Sequence, residues 1–410
     1  MAQESADTLP TGRRVHVIGA GPVGLLLTAL LQSIEGLSVH LYEKRSDYTR
    51  TRMVRLASYL VADSLESYRT DHIDAENIEA VFDRSDLEQG LAFRQAIAPD
   101  LMSLLREWTQ GFCPLNTIER SLSNLIDGRG SNSVQRLSTT MTAQAAIDML
   151  EPGDFLVDCT GCKSLFRDHL EPDAGVAVDG ANTVAFHLEN AMVVTFLFGR
   201  PYICNELCKY HKNEGNLAYK FIPAVDRTFH DGDLSHVTGI VVISPEEFAE
   251  MPASFDGQWL RGRLPGAARS MDRFIDKIRQ EAGGEVVGDL EIVRIPLTLY
   301  RARNATSRKW RDAAPGSHPF ADMPVFLAGD SAIGSPYFQS ISLGFECAMF
   351  LAGLIGQRDR PLRDVFDSYE LHIYKQWLRV YMRSKMIKHN KDLFENIDDK
   401  PALLARLPIY

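Results

Sequence analysis

A glycine-rich segment near the N-terminus constrains the fold more than any other part of the sequence. Residues 13–43 read RRVHVIGAGPVGLLLTALLQSIEGLSVHLYE. They combine a short apolar run, glycines spaced G-x-G-x-x-G, an apolar helix from Leu25 to Leu31 and a second strand that ends at Glu43. This order is typical of a βαβ unit in a parallel sheet that binds a dinucleotide.

Each glycine of this segment has its own physical role. Gly19 permits the tight turn, Gly21 lets the backbone approach a pyrophosphate, and Gly24 lets the helix pack closely on the strand. The free N–H groups at the helix N-terminus supply partial positive charge for the phosphates. Glu43 follows Gly24 by nineteen residues, where a carboxylate would bind the ribose hydroxyls. The motif predicts a dinucleotide site but does not separate FAD from NAD.

Size and charge limit the classes of function. The chain has 410 residues, of which 45% are hydrophobic and 24% charged, which fits a globular protein with two domains. A formal net charge of −10 argues against nucleic acid or an anionic membrane as partners. No apolar run approaches the ~20 residues that span a bilayer, and the N-terminus lacks the apolar region of a signal peptide. We expect a soluble, cytoplasmic protein with reduced cysteines.

A second motif lies near the C-terminus, where residues 324–353 read PVFLAGDSAIGSPYFQSISLGFECAMFLAG. A strand ends in Gly329-Asp330, a loop with Pro336 follows, and an apolar helix begins at about Ser342. Beside the first motif, this strand–loop–helix predicts a second part of the same dinucleotide site.

These residues resemble the FAD-dependent (group A) flavoprotein monooxygenases of the para-hydroxybenzoate hydroxylase type, which carry a Gly-Asp, a proline loop and a helix in this order. The stretch PYFQSISLGFECAMF is most similar to kynurenine 3-monooxygenases, whose loop runs roughly P-F-F-G-Q-G-M-N-A-G-F-E-D. The resemblance implies that Asp330 binds the ribityl hydroxyls and that residues Gln339 to Ser342 face the pyrimidine end of the flavin. It also implies that Pro336 to Phe338 lie near the reacting edge of the ring.

Two positions of this motif depart from the family. Ser331-Ala332-Ile333 stands where the family has Ala-Ala-His, and Ser340 stands at a family glycine, with one residue missing next to Gln339. We therefore expect a looser fit around the flavin than in the family.

Residues 158–168 read DCTGCKSLFRD, in which Cys159 and Cys162 are three positions apart. The segment resembles a third fingerprint of the same family, close to G-A-D-G-x-x-S-x-V-R. Gly161, Ser164 and Arg167 match that pattern, and Thr160 replaces its aspartate. The flavin-loop interpretation is favoured over a redox dithiol and over a zinc site completed by Cys204 and Cys208.

The replaced aspartate bears on the source of electrons, because the family uses this loop for nicotinamide handling as well as for FAD. NADPH or NADH is the expected transient donor, and reduced flavin from a partner reductase is the alternative. No second G-x-G-x-x-G is present, so we expect no separate nicotinamide domain.

The resemblance also assigns FAD contacts to Arg45, which follows the acidic residue, and to Arg120. The latter lies on a helix that matches the family's R-x-x-L-x-x-x-L pattern with slightly different spacing. A further arginine contact falls on Arg52 or Arg55, and the sequence does not decide between them. The residues predicted to bind FAD are Gly19, Gly21, Pro22, Gly24, Glu43, Lys44, Arg45, Arg120, Gly161, Gly329, Asp330, Pro336, Gln339, Ser340, Ile341 and Ser342.

The rest of the chain predicts a second domain. Residues 180–300 alternate strand-like runs with turns, and the segment MDRFIDKIRQEAG has apolar residues at helical spacing. We expect an α/β protein with a doubly wound, Rossmann-like FAD-binding domain and an inserted strand-rich substrate domain. The FAD domain would comprise residues 1–68, 106–175 and 290–360, the substrate domain 69–105 and 176–289, and a C-terminal helical segment 361–410. Tyr300, Tyr337 and Phe338 are predicted substrate contacts, with Tyr210 and His211 as weaker candidates.

These observations predict an FAD-dependent monooxygenase. The resemblance implies that it inserts one oxygen atom from O2, through a flavin C4a-hydroperoxide, into an aromatic or electron-rich small molecule. The alternatives are an FAD-dependent oxidase, dehydrogenase or reductase on the same fold, or a non-catalytic FAD-binding protein. No metal site is expected, and the sequence identifies no catalytic side chain.

Overall fold

The computed structural model describes residues 14–50, 53–70, 81–130, 134–151, 153–171, 180–200, 219, 221–223, 230–231, 234–312, 319–335 and 340–396. The chain divides into two compact units. The first comprises Met1–Phe186 and Leu299–Met382, and the second comprises His187–Thr298 and Arg383–Tyr410. The segment His187–Thr298 of the second unit therefore lies in the sequence between the two segments of the first.

The elements follow one another along the chain in an α/β order. The strands are β1 (Arg14–Ile18), β2 (Ser38–Glu43), β3 (Met53–Arg55), β4 (Phe112–Pro114), β5 (Val134–Ser138), β6 (Phe155–Asp158), β7 (Thr183–Phe198), β8 (Phe221–Pro223), β9 (His230–Asp231), β10 (Leu234–Ile243), β11 (Ser254–Phe255), β12 (Val286–Ala302), β13 (Val325–Leu327) and β14 (Ile333–Gly334). The helices are α1 (Pro22–Leu31), α2 (Leu65–Thr70), α3 (Arg84–Gln95), α4 (Pro99–Thr109), α5 (Leu115–Gly128), α6 (Ala143–Met149), α7 (Pro245–Glu250), α8 (Gly257–Arg263), α9 (Pro265–Ala282), α10 (Pro319–Asp322), α11 (Ser340–Gly356) and α12 (Leu362–Asn396). Short 3-10 turns span Ser58–Val61, Arg167–Leu170, Arg308–Asp312 and Gly329–Ser331.

The first unit is built on a five-stranded parallel sheet in the order β13-β6-β1-β2-β5. Strand β1 lies in the middle because its apolar residues pair on both sides, with Val17 opposite Leu41 on β2 and opposite Val157 on β6. Since the strands are parallel, the carboxyl ends of β1, β2, β6 and β13 meet at one edge of the sheet. This edge is the usual place for a ligand in such folds.

Helices α1 and α11 pack together through glycines. A Cβ added to Gly344 would lie 2.7 Å from Val23 Cγ2. Gly329 has a φ of +63°, and a Cβ there would lie 3.1 Å from the methyl groups of the same valine. Both helices are almost entirely buried, which explains why their sequences are apolar on every face.

The second sheet has seven strands in the order β11-β12-β7-β10-β8, with β14 paired to β12 and β9 paired to β10. The pairings of β10 with β7, β8 and β9, and of β12 with β11 and β14, are antiparallel. In the second unit, α9 buries Phe274, Ile275 and Ile278 in one core with Phe196 of β7 and Ile292 of β12. Helix α9 ends at Gly283, whose φ of +68° forms a left-handed cap.

The observed architecture confirms the predicted fold class: a Rossmann-like parallel sheet, a separate strand-rich sheet and C-terminal helices. Residues 81–105, which the sequence analysis assigns to the substrate domain, form α3 and part of α4 within the first unit. The assignment of FAD and substrate to particular domains stays a prediction. Among the described residues, no helix is both long enough and apolar enough to cross a membrane.

Candidate dinucleotide site

The turn after β1 has the geometry that its glycines predict. Gly19 has a φ of +100°, and a Cβ on Gly24 would lie 1.9 Å from the Gly19 carbonyl oxygen, so neither position accepts a side chain. A Cβ on Gly21 would meet only Arg50 Nη2, at 3.7 Å. Gly21 occupies the N-cap position of α1, and Pro22 is the first residue of the helix. No side chain of Gly21 is present to accept hydrogen bonds from the amides of the first helical turn. The N-terminal amides of α1 are therefore available to an anion.

Glu43 ends β2 beside this turn and is held as an ionised acceptor. Its carboxylate accepts hydrogen bonds from the Ala20 amide at 2.9 Å and from Arg45 Nε at 3.1 Å and Nη2 at 2.9 Å. Burial alone would raise the pKa of Glu43, but the hydrogen bonds from Arg45 and Ala20 outweigh it and lower the pKa below its ordinary value. An ionised carboxylate here suits the hydroxyl donors of a ribose.

A cavity of about 570 Å³ opens at this edge of the sheet. Its volume lies within the range of cofactor pockets. The predicted FAD residues that line it are Gly19, Gly21, Pro22, Glu43, Lys44, Arg45, Gly161, Gly329, Asp330, Ser340 and Ile341. The first motif, the 158–168 loop and the Gly329-Asp330 segment thus converge on one cavity.

Other cavity residues were not identified from the sequence. The wall also contains Arg50, Cys159, Cys162 and Lys163. Arg50 and Lys163, together with Lys44 and Arg45, give the cavity wall positive charge that suits a pyrophosphate. The arginine-rich run TRTRMVR at residues 49–55 was the available signal, but the family resemblance points to Arg52 or Arg55 rather than to Arg50.

The loop after β6 is organised by Asp158. This fully buried carboxylate accepts hydrogen bonds from the Thr160 amide at 2.9 Å, Thr160 Oγ1 at 2.6 Å, Ser164 Oγ at 2.6 Å and the Phe166 amide at 3.0 Å. Ser331 Oγ donates a further bond at 3.2 Å, and the Gly161 amide donates to Ser331 Oγ at 3.1 Å. The loop and the segment after β13 are therefore joined by one polar network.

The two cysteines of this loop lie in different environments, unlike the paired thiols of a redox dithiol. Burial, aided by the nearby Asp158 carboxylate, raises the pKa of Cys159 well above its ordinary value. Its thiol therefore stays protonated near neutral pH and is a poor nucleophile. Cys162 is exposed, and both cysteines are free thiols. In the described parts of the chain no three His, Cys, Asp or Glu side chains form a metal-binding group, and Cys204 and Cys208 lie outside those parts.

The structure does not bring Tyr300 to the cavity. Its hydroxyl donates to the Asp330 carbonyl at 2.8 Å, and its ring lies where a Cβ on Gly334 would be, 2.1 Å away. The Arg167 guanidinium stacks 5.1 Å from the centre of the same ring. Tyr300 thus supports the Asp330 segment. Its contact with substrate stays a prediction, and its position outside the cavity wall does not favour that contact.

The remaining predicted residues have different positions. Ser342 is buried, and its Oγ accepts a hydrogen bond from the Ala57 amide at 2.9 Å. Arg120 projects from α5 and contacts Asp47, with Nη2 3.4 Å from Oδ1, away from the cavity wall. Predicted contacts at Arg52, Pro336, Tyr337, Phe338, Gln339, Tyr210 and His211 lie outside the described residues.

Taken together, the residues of this cavity fit FAD. The uncapped turn suits the pyrophosphate, and Glu43 suits the adenosine ribose. Asp330, from a separate segment of the chain, adds a second carboxylate to the cavity wall. A glycine turn that served packing alone would explain Gly24 but not the open face of Gly21 or the basic wall.

No family model matches the sequence, and no curated protein is significantly similar to it in sequence. Solved structures share its fold. A 2-methyl-3-hydroxypyridine-5-carboxylic acid oxygenase aligns with a TM-score of 0.52 at 13% identity, covering 96% of this chain and 96% of that chain. An anhydrotetracycline hydroxylase from Streptomyces rimosus aligns with a TM-score of 0.50 at 17% identity, covering 93% of this chain and 71% of that chain.

A flavin-dependent halogenase also aligns, with a TM-score of 0.50 and 17% identity, over 91% of this chain and 63% of that chain. At these identities the similarity establishes the fold alone. The chain therefore shares its fold with an oxygenase, a hydroxylase and a flavin-dependent halogenase.

Proposed function

We propose that the protein is an FAD-dependent monooxygenase that transfers one oxygen atom from O2 to an aromatic or electron-rich small molecule. One observation carries the proposal. Three segments far apart in the sequence, each resembling a flavoprotein fingerprint, line a single cavity at the carboxyl edge of the parallel sheet. The finer similarity to kynurenine 3-monooxygenases rests on the sequence of α11 and its preceding loop, and a cytoplasmic location rests on composition.

The proposed roles of the residues follow from their positions. Glu43 would accept hydrogen bonds from the adenosine ribose, and the amides after Gly21 would bind the pyrophosphate. Asp330 would bind the ribityl hydroxyls. Ser340 and Ile341, at the start of α11, would contact the pyrimidine end of the flavin ring.

When bound and reduced, FAD supplies the activation of O2 that no side chain provides. The chain contributes binding, orientation and charge. The first turn of α11 contains no acidic residue, and the positive end of the helix dipole favours negative charge beside it. Lys44, Arg45 and Lys163 give the cavity wall further positive charge.

The electron donor is proposed to be NADPH or NADH, with reduced flavin from a partner reductase as the alternative. A small aromatic substrate is the proposed partner, contacted by Tyr337 and Phe338. Neither of these aromatic residues belongs to the described part of the chain.

The test begins with the apoprotein and FAD. After FAD loading and removal of oxygen, the protein is mixed with NADH or NADPH and flavin absorbance is followed. Oxygen labelled with ¹⁸O is then admitted together with candidate aromatic acids and phenols. Incorporation of one ¹⁸O atom into product supports a monooxygenase. Flavin reoxidation with peroxide and no labelled product, for every substrate and after chemical reduction as well, would instead support an oxidase, and failure to bind FAD would refute the proposal.

A further inference from the structure

Arg50 lies over the phosphate-binding turn, although none of the sequence motifs gives it a role. Its Nη2 atom is 3.7 Å from the position of a Cβ on Gly21, and its side chain lines the cavity. We propose that Arg50 binds the pyrophosphate of the cofactor and that the buried carboxylate of Glu119 positions it. This inference rests on the proposed binding of FAD.

Glu119 is the reason that Arg50 lies at this place. Its side chain has 0% exposure, and its Oε1 accepts a hydrogen bond from Arg50 Nη2. Arg45 Nη1 is 3.8 Å from the same oxygen. A buried carboxylate needs a cationic partner, so Glu119 holds the guanidinium at the cavity wall.

The backbone of Arg50 is fixed to the same helix. Its carbonyl accepts a hydrogen bond from the Asn116 amide at 2.8 Å, in the first turn of α5. Main chain and side chain are therefore both anchored to α5. An arginine held in this way loses less conformational entropy on binding a phosphate than one on a free loop.

The arrangement reverses the charges that the resemblance implies. The resemblance places the arginine on the helix, at Arg120, but that side chain is 53% exposed and pairs with Asp47. The preceding residue, Glu119, points inward instead. In this chain the helix supplies the carboxylate and the loop supplies the guanidinium.

The chemistry of the guanidinium suits a pyrophosphate. Within the described residues, Glu119 engages one N–H of Arg50 Nη2, which leaves the second N–H of Nη2 as a donor beside those of Nη1 and Nε. Two parallel N–H groups match two phosphate oxygens, and the α1 amides approach the same region from the turn. A lysine would provide the charge without the paired donors.

Binding of FAD to the apoprotein, followed by quenching of FAD fluorescence, tests the proposal. We expect Arg50→Met to raise the Kd for FAD by roughly 10- to 100-fold and to flatten its dependence on salt. Arg50→Lys should recover part of the affinity. Arg136→Met is the matched control, because Arg136 also pairs with α5, through Asp127, but does not line the cavity.

Two further variants separate binding from folding. Arg50→Met leaves the buried Glu119 carboxylate without its hydrogen-bonded cation, which should destabilise the fold. The double variant Arg50→Met/Glu119→Gln removes the unpaired charge and should keep the predicted loss of FAD affinity. Glu119→Gln alone should weaken FAD binding in the wild-type background and have little effect in the Arg50→Met background, which identifies a positioning role.

The outcomes are distinct. If the wild-type chain does not bind FAD, the proposed function is wrong. If it binds FAD and both Arg50 variants bind equally well, the inference is wrong while the function stands. If Arg120→Met weakens FAD binding and the Arg50 variants do not, the inference is also wrong, because Arg120 then makes the FAD contact that the resemblance implies.

Discussion

The substitution Asp158→Asn tests how the loop at the cavity wall is held. The aspartate is fully buried, and its Oδ1 accepts from the Thr160 amide while its Oδ2 accepts from the Phe166 amide. An asparagine has nearly the same shape but only one acceptor oxygen. In either orientation its NH2 group faces a backbone N–H that has lost its acceptor.

The expected cost follows from these contacts. An unsatisfied buried N–H costs about 1–3 kcal/mol, and bonds to a charged acceptor weaken when the charge is lost. Hydroxyl donors of Ser164 and Ser331 can rotate to reduce the penalty, whereas the two amides cannot. We therefore expect Asp158→Asn to lower the free energy of unfolding by about 3–5 kcal/mol.

Urea unfolding of the apoprotein, followed by far-UV circular dichroism, measures this change. Asp47→Asn is the matched control, because Asp47 is exposed and its pair with Arg120 should contribute below about 1 kcal/mol. A loss of less than about 1 kcal/mol for Asp158→Asn would refute the argument that this carboxylate organises the loop.

Three further predictions concern other parts of the first unit. Gly24→Ala should destabilise the apoprotein strongly, because its Cβ would lie 1.9 Å from a backbone oxygen, whereas Gly21→Ala should leave urea stability nearly unchanged and weaken FAD binding. Burial lowers the pKa of His372 to about 3, so the unfolded state takes up the proton first as the pH falls below about 6.5. Stability should then fall by up to about 1.4 kcal/mol per pH unit, a slope that His372→Phe should remove in pH-dependent urea titrations. Iodoacetamide should label Cys162, which is exposed, faster than Cys159, whose raised pKa keeps the thiol protonated, as read by mass spectrometry of the native apoprotein. FAD should protect Cys162, and equal labelling of both would contradict the raised pKa of Cys159.

The sequence predicted the parts of the site that depend on neighbouring residues. The turn at Gly19, the packing of Gly24 and the position of Glu43 at the end of β2 all follow from a strand, a tight turn and a helix in immediate succession. The hydrogen bonds that Glu43 accepts from the Ala20 amide, 23 positions earlier, and from the Arg45 amide hold the carboxylate where the motif places it.

Contacts between distant segments were not predictable in the same way. Arg50 and Glu119 are separated by 69 positions, and nothing in either local sequence indicates that they pair. The helix α5 could present Glu119 or Arg120 to the core, because adjacent helical residues point about 100° apart. The apolar residues Ile118 and Leu122 fix which side faces inward, and Glu119 is buried beside them.

Two departures from the family pattern prove to be neighbours in space. Thr160 lacks the family aspartate, and Ser331 replaces a family alanine, 171 positions later by sequence number. In the structure, Asp158 supplies a carboxylate two residues before Thr160, and Ser331 donates to that carboxylate while accepting from the Gly161 amide. Because the loop keeps a buried carboxylate and the donors that surround it, the replacement at Thr160 does not imply a collapsed loop. The electron donor, whether NADH, NADPH or reduced flavin from a partner reductase, stays a prediction that the flavin absorbance measurement tests.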